Sequence, residues 1–444
     1  MINWPGDFFN NVQDIFKDES KLLLESLELP APVSIRMNPW KSTDQFNSEE
    51  KIEWSTMGHY LKQRPSFTLD PLFHAGCYYV QEASSQFLEV LFNEAIQTTD
   101  QPVVLDLCAA PGGKSTHLLS LLNGKGVLIS NEIIPGRNKT LQENCIKWGS
   151  VNSIVTQNES SVFGKLKNVF DVVVVDAPCS GEGLFRRDPD AANEWSLDAV
   201  RHCAVRQTKI LEDIIPSIKP GGYLIYSTCT FESAENENQI LKLIEESDFE
   251  KINIDVVPDG VVKSELGYSF YPHKIKGEGF FITLLRKKSQ EVFHSSKPYK
   301  LKKRSKVDPI KNLNTFVDYD KYEIFSMEDK LWLYPDSVNA FLKNYGTSLY
   351  VRNAGVFVGV NNRSELIPSH DLALSLALNK QIQSVEVDLN SALSFLRGEI
   401  NFKAEGLSGW TIVSYQDHPL GWVKALPNRM NNYYPKEWRI RIRL

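Results

Sequence analysis

Apolar residues recur at helical spacing from Phe8 to Leu29, which predicts one or two amphipathic helices at the start of the chain. The run PVSIRMNP (Pro32–Pro39) reads as a short strand closed by a turn, and YYVQEASSQFLEVLF opens a helix near Glu82. Together these pieces predict a small mixed domain, helical in part, over residues 1–95. The pattern then changes. Apolar runs of strand length alternate with helical stretches: PVVLDLC, KSTHLLSLL, GVLISNE, GRNKTLQENCIKWG, NSIVTQ, FDVVVVDAP and GGYLIYST. Strands alternating with helices predict an α/β domain over residues 96–288, a Rossmann-like, doubly wound and mostly parallel sheet.

After GFFITLLRKK the periodicity stops. Residues 289–306, ending in KPYKLKKRSK, read as a basic linker, either a solvated tether or a segment that touches phosphate. From 307 to 444, short strands with turn signals (SLYVRNAGVFVGV, SGWTIVSYQDHPLGWVKAL) predict a separate C-terminal α+β module. A chain of 444 residues has room for these parts, and 42% apolar with 23% charged residues is ordinary for a soluble protein. No apolar run approaches the roughly 18–20 residues of a membrane span. The opening MINWPGDFFNNVQDIFKDES carries early acids and no basic stretch, so no export signal and a cytoplasmic location are expected. The six cysteines show no C-x-x-C pair and no zinc spacing, which predicts free thiols and no metal. A net charge of −6 argues against a protein coated in nucleic acid but leaves room for a local basic groove.

The most informative stretch is LDLCAAPGGKST, Leu105–Thr116, at the end of the first apolar strand. Its second half fits a phosphate-binding G-K-[ST] loop, but Cys108 stands where the first glycine belongs and Pro111 lacks an N–H, so the signal for a nucleotide triphosphatase is weak. In an open parallel sheet, ligands sit beyond the carboxyl ends of the strands at the topological switch point. Small residues Ala109, Ala110, Gly112 and Gly113 would let a ligand approach the backbone there, and Glu132 closes the second strand as ribose-binding acids do. Spacing alone leaves a dinucleotide site and a plain tight turn equally open. Two further strand ends narrow the choice. Asp176, Pro178 and Cys179 end one strand, and Thr228 and Cys229 end the next, so both thiols are expected over the same crevice. A lone buried cysteine is usually a small hydrophobe; two at neighbouring strand tips are a candidate chemical pair.

In order and spacing, DLCAAPGGKSTHL, NEIIPGR, DAPCSGEGLFRRDP, YSTCTF with ENEN, and GEGFFITLL resemble the RNA cytosine-5 methyltransferases of the Sun/RsmF type. SIRMNP resembles that family's N-terminal part, and GWVKALPNRMNNYYPKEWR its C-terminal PUA-like module. The resemblance implies a class I methyltransferase fold, S-adenosylmethionine as cofactor, and an RNA substrate. Small-subunit ribosomal RNA comes first; transfer RNA, or an inactive ribosome assembly factor, is the alternative.

The resemblance also implies roles. Cys229 is the nucleophile and Cys179 the release cysteine. Asp176 faces the pyrimidine edge and Lys114 balances charge. Cys108, Ala109, Ala110, Pro111, Gly112, Gly113 and Lys114 surround the methionine end of the cofactor. Glu132 takes the ribose with Arg137 in support, and Asp176 borders the cofactor. The family's adenine-side Asp is replaced by Glu159, beside Asn158, and an acid near ENE is replaced by Ala234. Arg186 and Arg187 either hold phosphate or are solvated. Lys424 and Arg429, with Trp410, Trp422, Tyr433, Tyr434 and Lys436, mix cations and aromatics in a way that suits RNA, although core packing explains tryptophans equally well. No dimerisation signal is present, and a monomer is expected.

Overall fold

The computed structural model describes residues 4–288, 313–317, 322–362, 365–403 and 406–442. The predicted linker at 289–306 lies outside the described residues. The apolar runs form the middle of a ten-stranded sheet. Val103–Asp106 lies between Val127–Asn131 and Phe170–Asp176, parallel to both. Ser153–Thr156 continues in parallel beyond Val127–Asn131, and Ile218–Thr228 beyond Phe170–Asp176. Val172, Val173, Val174 and Val175 are fully buried, because helices cover both faces and every side chain of such a strand must be apolar. The chain leaves Val103–Asp106 in one direction and later returns to its other side. That reversal opens a crevice at the carboxyl ends of Val103–Asp106 and Phe170–Asp176. An antiparallel strand, Phe280–Lys287, then pairs with Ile218–Thr228.

Helices Gly6–Phe16 and Ser20–Leu27 form as the periodicity predicts. They bury Phe8, Val12, Phe16 and Leu23 against Phe185, Trp195 and Phe231, residues that follow the two cysteines. The strand predicted from PVSIRMNP is Val33–Met37, held between Gly58–Leu61 and Tyr78–Val80. Its Arg36 is buried and spans to the central domain, donating to the Thr116 hydroxyl at 2.7 Å and the Gly113 carbonyl at 3.2 Å.

The tail, expected as a separate module, is divided. Two four-stranded sheets form there, one starting at Glu323–Met327 and the other holding Gly409–Tyr415, His418–Leu426 and Arg429–Asn432. Within the span of the first, between its strands Lys330–Tyr334 and Val356–Asn362, Val351–Ala354 leaves the tail and pairs antiparallel with Ser153–Thr156, as an edge strand of the central sheet. Helix Asp336–Tyr345 sends Val338, Phe341 and Leu342 into the same core as Phe163 and Phe170. Burial on this scale contributes roughly 1.5–3 kcal/mol per large apolar side chain, so the tail is bound to the sheet by packing as well as by chain connectivity. The buried ammonium of Lys41 adds a polar tie, donating to the carbonyls of Ala75 (2.8 Å), Lys147 (2.6 Å) and Leu374 (2.8 Å), one from each of the three regions.

Candidate active site

The glycine loop is shaped by its own backbone. Ala109 donates its N–H to the Asn131 carbonyl at 2.8 Å, and the carbonyls of Ala110 and Pro111 accept from Arg137 and Asn144, each at 2.8 Å. Gly112 sits at φ +111°, a conformation a side chain resists, and starts helix Gly113–Leu122. A Cβ on Gly113 would come within 3.2 Å of the Tyr79 ring. Cys108 is half-buried beside this turn, and burial pushes its thiol up to about 12. Beneath the loop, Asp106 is fully buried. One of its oxygens accepts from Ser115 at 2.6 Å, while Oδ1 has no partner among the described residues, and burial pushes the carboxyl up to about 7.

Glu132 is buried at the end of the second strand, where it accepts from the Ile134 N–H at 2.9 Å and lies 3.4 Å from the exposed Arg137 guanidinium. Glu159 is exposed at the start of the short helix Ser160–Gly164. Its neighbour Asn158 accepts from the Tyr350 N–H at 2.9 Å, and Gln157 donates its N–H to the Tyr350 carbonyl at 3.0 Å. The tail thus borders the third strand's loop.

Across the crevice the two thiols meet. Cys179 and Cys229 have sulfurs 3.2 Å apart, and both residues are half-buried. The hydrogen bond to Cys229, together with burial, holds the Cys179 thiol well above its ordinary range. Cys179 therefore keeps its proton and can direct it at the Cys229 sulfur. Lys114 and Asp176 form an ion pair at 2.8 Å, with the Lys114 ammonium 4.9 Å from the centre of the Phe280 ring. Asp176 also accepts from the Ser227 hydroxyl at 2.8 Å, two residues before Cys229. Four of the expected residues, Lys114, Asp176, Cys179 and Cys229, thus converge on the switch point.

The expected RNA contacts fare differently. Arg186 donates to three backbone carbonyls, those of Leu29, Pro30 and Gly277, and so fastens the N-terminal region to the cysteine loop. Arg187 is exposed, 3.8 Å from Glu278. Lys424 lies 3.2 Å from Glu365 and 5.2 Å from the Trp410 ring centre, and Arg429 is exposed on a neighbouring strand of the C-terminal sheet. Trp410, Trp422 and Tyr434 are buried and belong to the core, and Tyr433 and Lys436 are exposed.

Sequence reasoning passed over the residues behind the thiols. Glu182 and Glu235 are fully buried there. The signal was present, in SGEG and ENEN, but a glutamate beside glycine or asparagine announces no partner.

Comparison with known proteins fits this geometry. The family described as 16S rRNA methyltransferase RsmB/F matches residues 94–286. A relative from Aeromonas salmonicida, named ribosomal RNA small subunit methyltransferase F, is 31% identical over 98% of this chain and 96% of its own length. The chain belongs to the RsmB/F methyltransferase family. This family member also matches the RsmF N-terminal domain over residues 4–83 and the RsmF PUA domain over residues 382–440. A Shewanella loihica protein of the same name is 29% identical over 98% of this chain and 96% of its own length. A methyltransferase homologue of Pyrococcus horikoshii, known from a crystal structure, superposes with a TM-score of 0.56 at 28% identity, covering 64% of this chain and 96% of its own. The chain is an S-adenosylmethionine-dependent RNA methyltransferase with a Rossmann-like catalytic sheet.

Proposed function

We propose that the chain methylates carbon 5 of a cytosine in small-subunit ribosomal RNA, through a temporary bond between Cys229 and carbon 6. The observation that carries this reading is the pair of sulfurs 3.2 Å apart, next to the Lys114–Asp176 ion pair. The relatives' names supply the RNA class. The residues fit S-adenosylmethionine: buried Asp106 keeps an oxygen without a partner among the described residues beneath the glycine loop, and Glu132 follows the second strand, where a ribose is held. When bound, the cofactor supplies an electrophilic methyl on a sulfonium, which is left as a neutral thioether once carbon 5 takes that methyl.

The chain's own groups do the rest. As a thiolate, Cys229 adds to carbon 6, forming the sulfur–carbon bond and moving the ring's π electrons toward carbon 5. Asp176 faces the N3 and amino edge of the ring, and Lys114 offsets the charge that develops. After carbon 5 is methylated, a base takes its proton, the 5–6 double bond re-forms, and the Cys229 thiolate leaves. Cys179, which holds its proton, assists that release. The target base must leave its stack, because a thiol cannot reach the face of a stacked ring. The C-terminal sheet, with Lys424 and Arg429, is where the RNA would dock.

The test uses purified protein, labelled cofactor and ribosomal RNA. Cys229→Ala is expected to abolish transfer. Cys179→Ala is expected to accumulate a denaturant-resistant protein–RNA adduct. Equal activity in Cys229→Ala and wild type would reject the proposal, and an adduct in Cys229→Ala alone would exchange the two roles.

A further inference from the structure

The Pro-Cys loop and the Thr-Cys loop exchange carboxylates. Glu182 belongs to the loop of Cys179, yet it accepts from the other loop: the Phe231 N–H at 2.8 Å and the Thr230 hydroxyl. Glu235 follows Cys229, yet it accepts from the first loop: the Ser180 N–H at 3.1 Å and the Ser180 hydroxyl. Ser180 directly follows Cys179, and Thr230 directly follows Cys229. Each thiol is therefore one residue from a group gripped by the opposite loop's acid. Ser180 and Thr230 complete the ring with a hydroxyl contact of 3.0 Å.

Side chains from elsewhere hold the acids in place. Trp195 donates its indole N–H to Glu182 at 2.6 Å, and Gln207 donates to Glu235 at 2.7 Å and to the Pro178 carbonyl at 3.0 Å. Asn11 of the first helix reaches a third acid, Glu232. Burying carboxylates this close together is costly, and a fold that needed only packing would use apolar groups of like volume. Burial raises Glu235 to about 7, and burial with Glu182 nearby raises Glu232 to about 8, so the cluster retains protons that limit the repulsion.

We infer that Glu182 and Glu235 are reciprocal positioning residues, which together keep both thiols aimed at one target ring through addition and release. The inference rests on reading Cys229 and Cys179 as the working pair. Neither acid touches the reacting atoms. Their effect comes through sulfur placement, where a misplacement of about 1 Å costs on the order of 100-fold in rate.

The experiment uses the full chain and two readouts. The first is bridging of Cys179 and Cys229 by dibromobimane, which fluoresces when it links two adjacent thiols and needs neither RNA nor cofactor. The second is steady-state methylation with adduct trapping. In Glu235→Leu, bridging is expected to slow by about tenfold or more and kcat to fall by about 100-fold, with KM for RNA and cofactor unchanged and adduct accumulating as in Cys179→Ala. Glu235→Gln is expected to restore both readouts, because its amide oxygen still accepts from Ser180. Ser180→Ala, which removes one hydroxyl without crowding the fold, is expected to shift both in the same direction by less. Wild-type bridging in both Glu235→Leu and Ser180→Ala, or failure of Glu235→Gln to recover either readout, overturns the clasp. A wild-type protein that does not methylate RNA, yet loses bridging in these variants, overturns the functional reading and supports the clasp.

Discussion

On the glycine-loop side of the crevice, backbone carbonyls and N–H groups carry most of the restraint. The carbonyls of Ala110, Pro111 and Gly113 are each taken by a side chain from another element, and the loop's conformation depends on a glycine at positive φ. On the dithiol side, the restraint is a ring of buried carboxylates and hydroxyls from residues as much as 55 positions apart. The contrast matches the two tasks. A cradle must be open and small, so that a ligand can lie against the main chain. A covalent pair must be held at a fixed spacing, and directional hydrogen bonds to buried groups do that better than van der Waals contact.

Gly183→Ala breaks the contrast most directly, because it attacks the dithiol side through the backbone. A Cβ there would lie 2.4 Å from the Gly279 carbonyl and 3.0 Å from that of Cys229. The Gly183 N–H also donates to Cys229 at 2.8 Å. Overpacking of this kind costs about 1–3 kcal/mol, and displacing Cys229 is expected to lower kcat by about 100-fold while cofactor affinity, read by calorimetry, stays as in wild type. Cofactor affinity falling in step with kcat would show that the two sides are not independent.

Asp106→Asn sharpens the contrast from the glycine side. The carboxyl titrates at about 7 in the folded chain, above its ordinary range, because burial penalises the charge. Below the ordinary range both folded and unfolded states are neutral and the residue carries no penalty. As pH rises from about 4 through 7 the unfolded chain ionises first, and stability is lost progressively. The variant escapes that loss, so its melting temperature should rise relative to wild type between pH 5 and pH 8. Parallel melting curves across that range would refute the burial argument.

The smallest effect is expected at Lys424→Ala, outside the crevice. If the C-terminal sheet docks RNA, removing one phosphate contact reduces the salt dependence of binding by about one and leaves the single-turnover rate at saturating RNA unchanged. An unaltered salt slope would remove Lys424 from the docking surface.

Much of this was legible in the chain before any coordinates. The Val172–Val175 run, short and wholly β-branched, reads as a strand covered on both faces, and the order of strand and helix signals predicts a switch point where the glycine loop falls. Adjacent strand tips then bring Cys179 and Cys229 together. Other features were not legible, for physical reasons. Val351–Ala354 (VRNA) has no apolar alternation of its own and finds its place only by pairing with Ser153–Thr156, a contact across about two hundred residues. Arg186 reads as a phosphate ligand or a solvated charge, because sequence does not show that three carbonyls will claim its guanidinium. Glu182 and Glu235 escaped notice because the value of an acid lies in its partner, and periodicity describes only a residue's own face.

The outer strand has one more consequence. On that flank the sheet ends in four residues whose pairing register slips between Val351 and Asn353. A margin so short and irregular is a poor template for another copy to extend. The catalytic sheet is thereby guarded on that side against growing by accretion into fibres or strand-exchanged pairs.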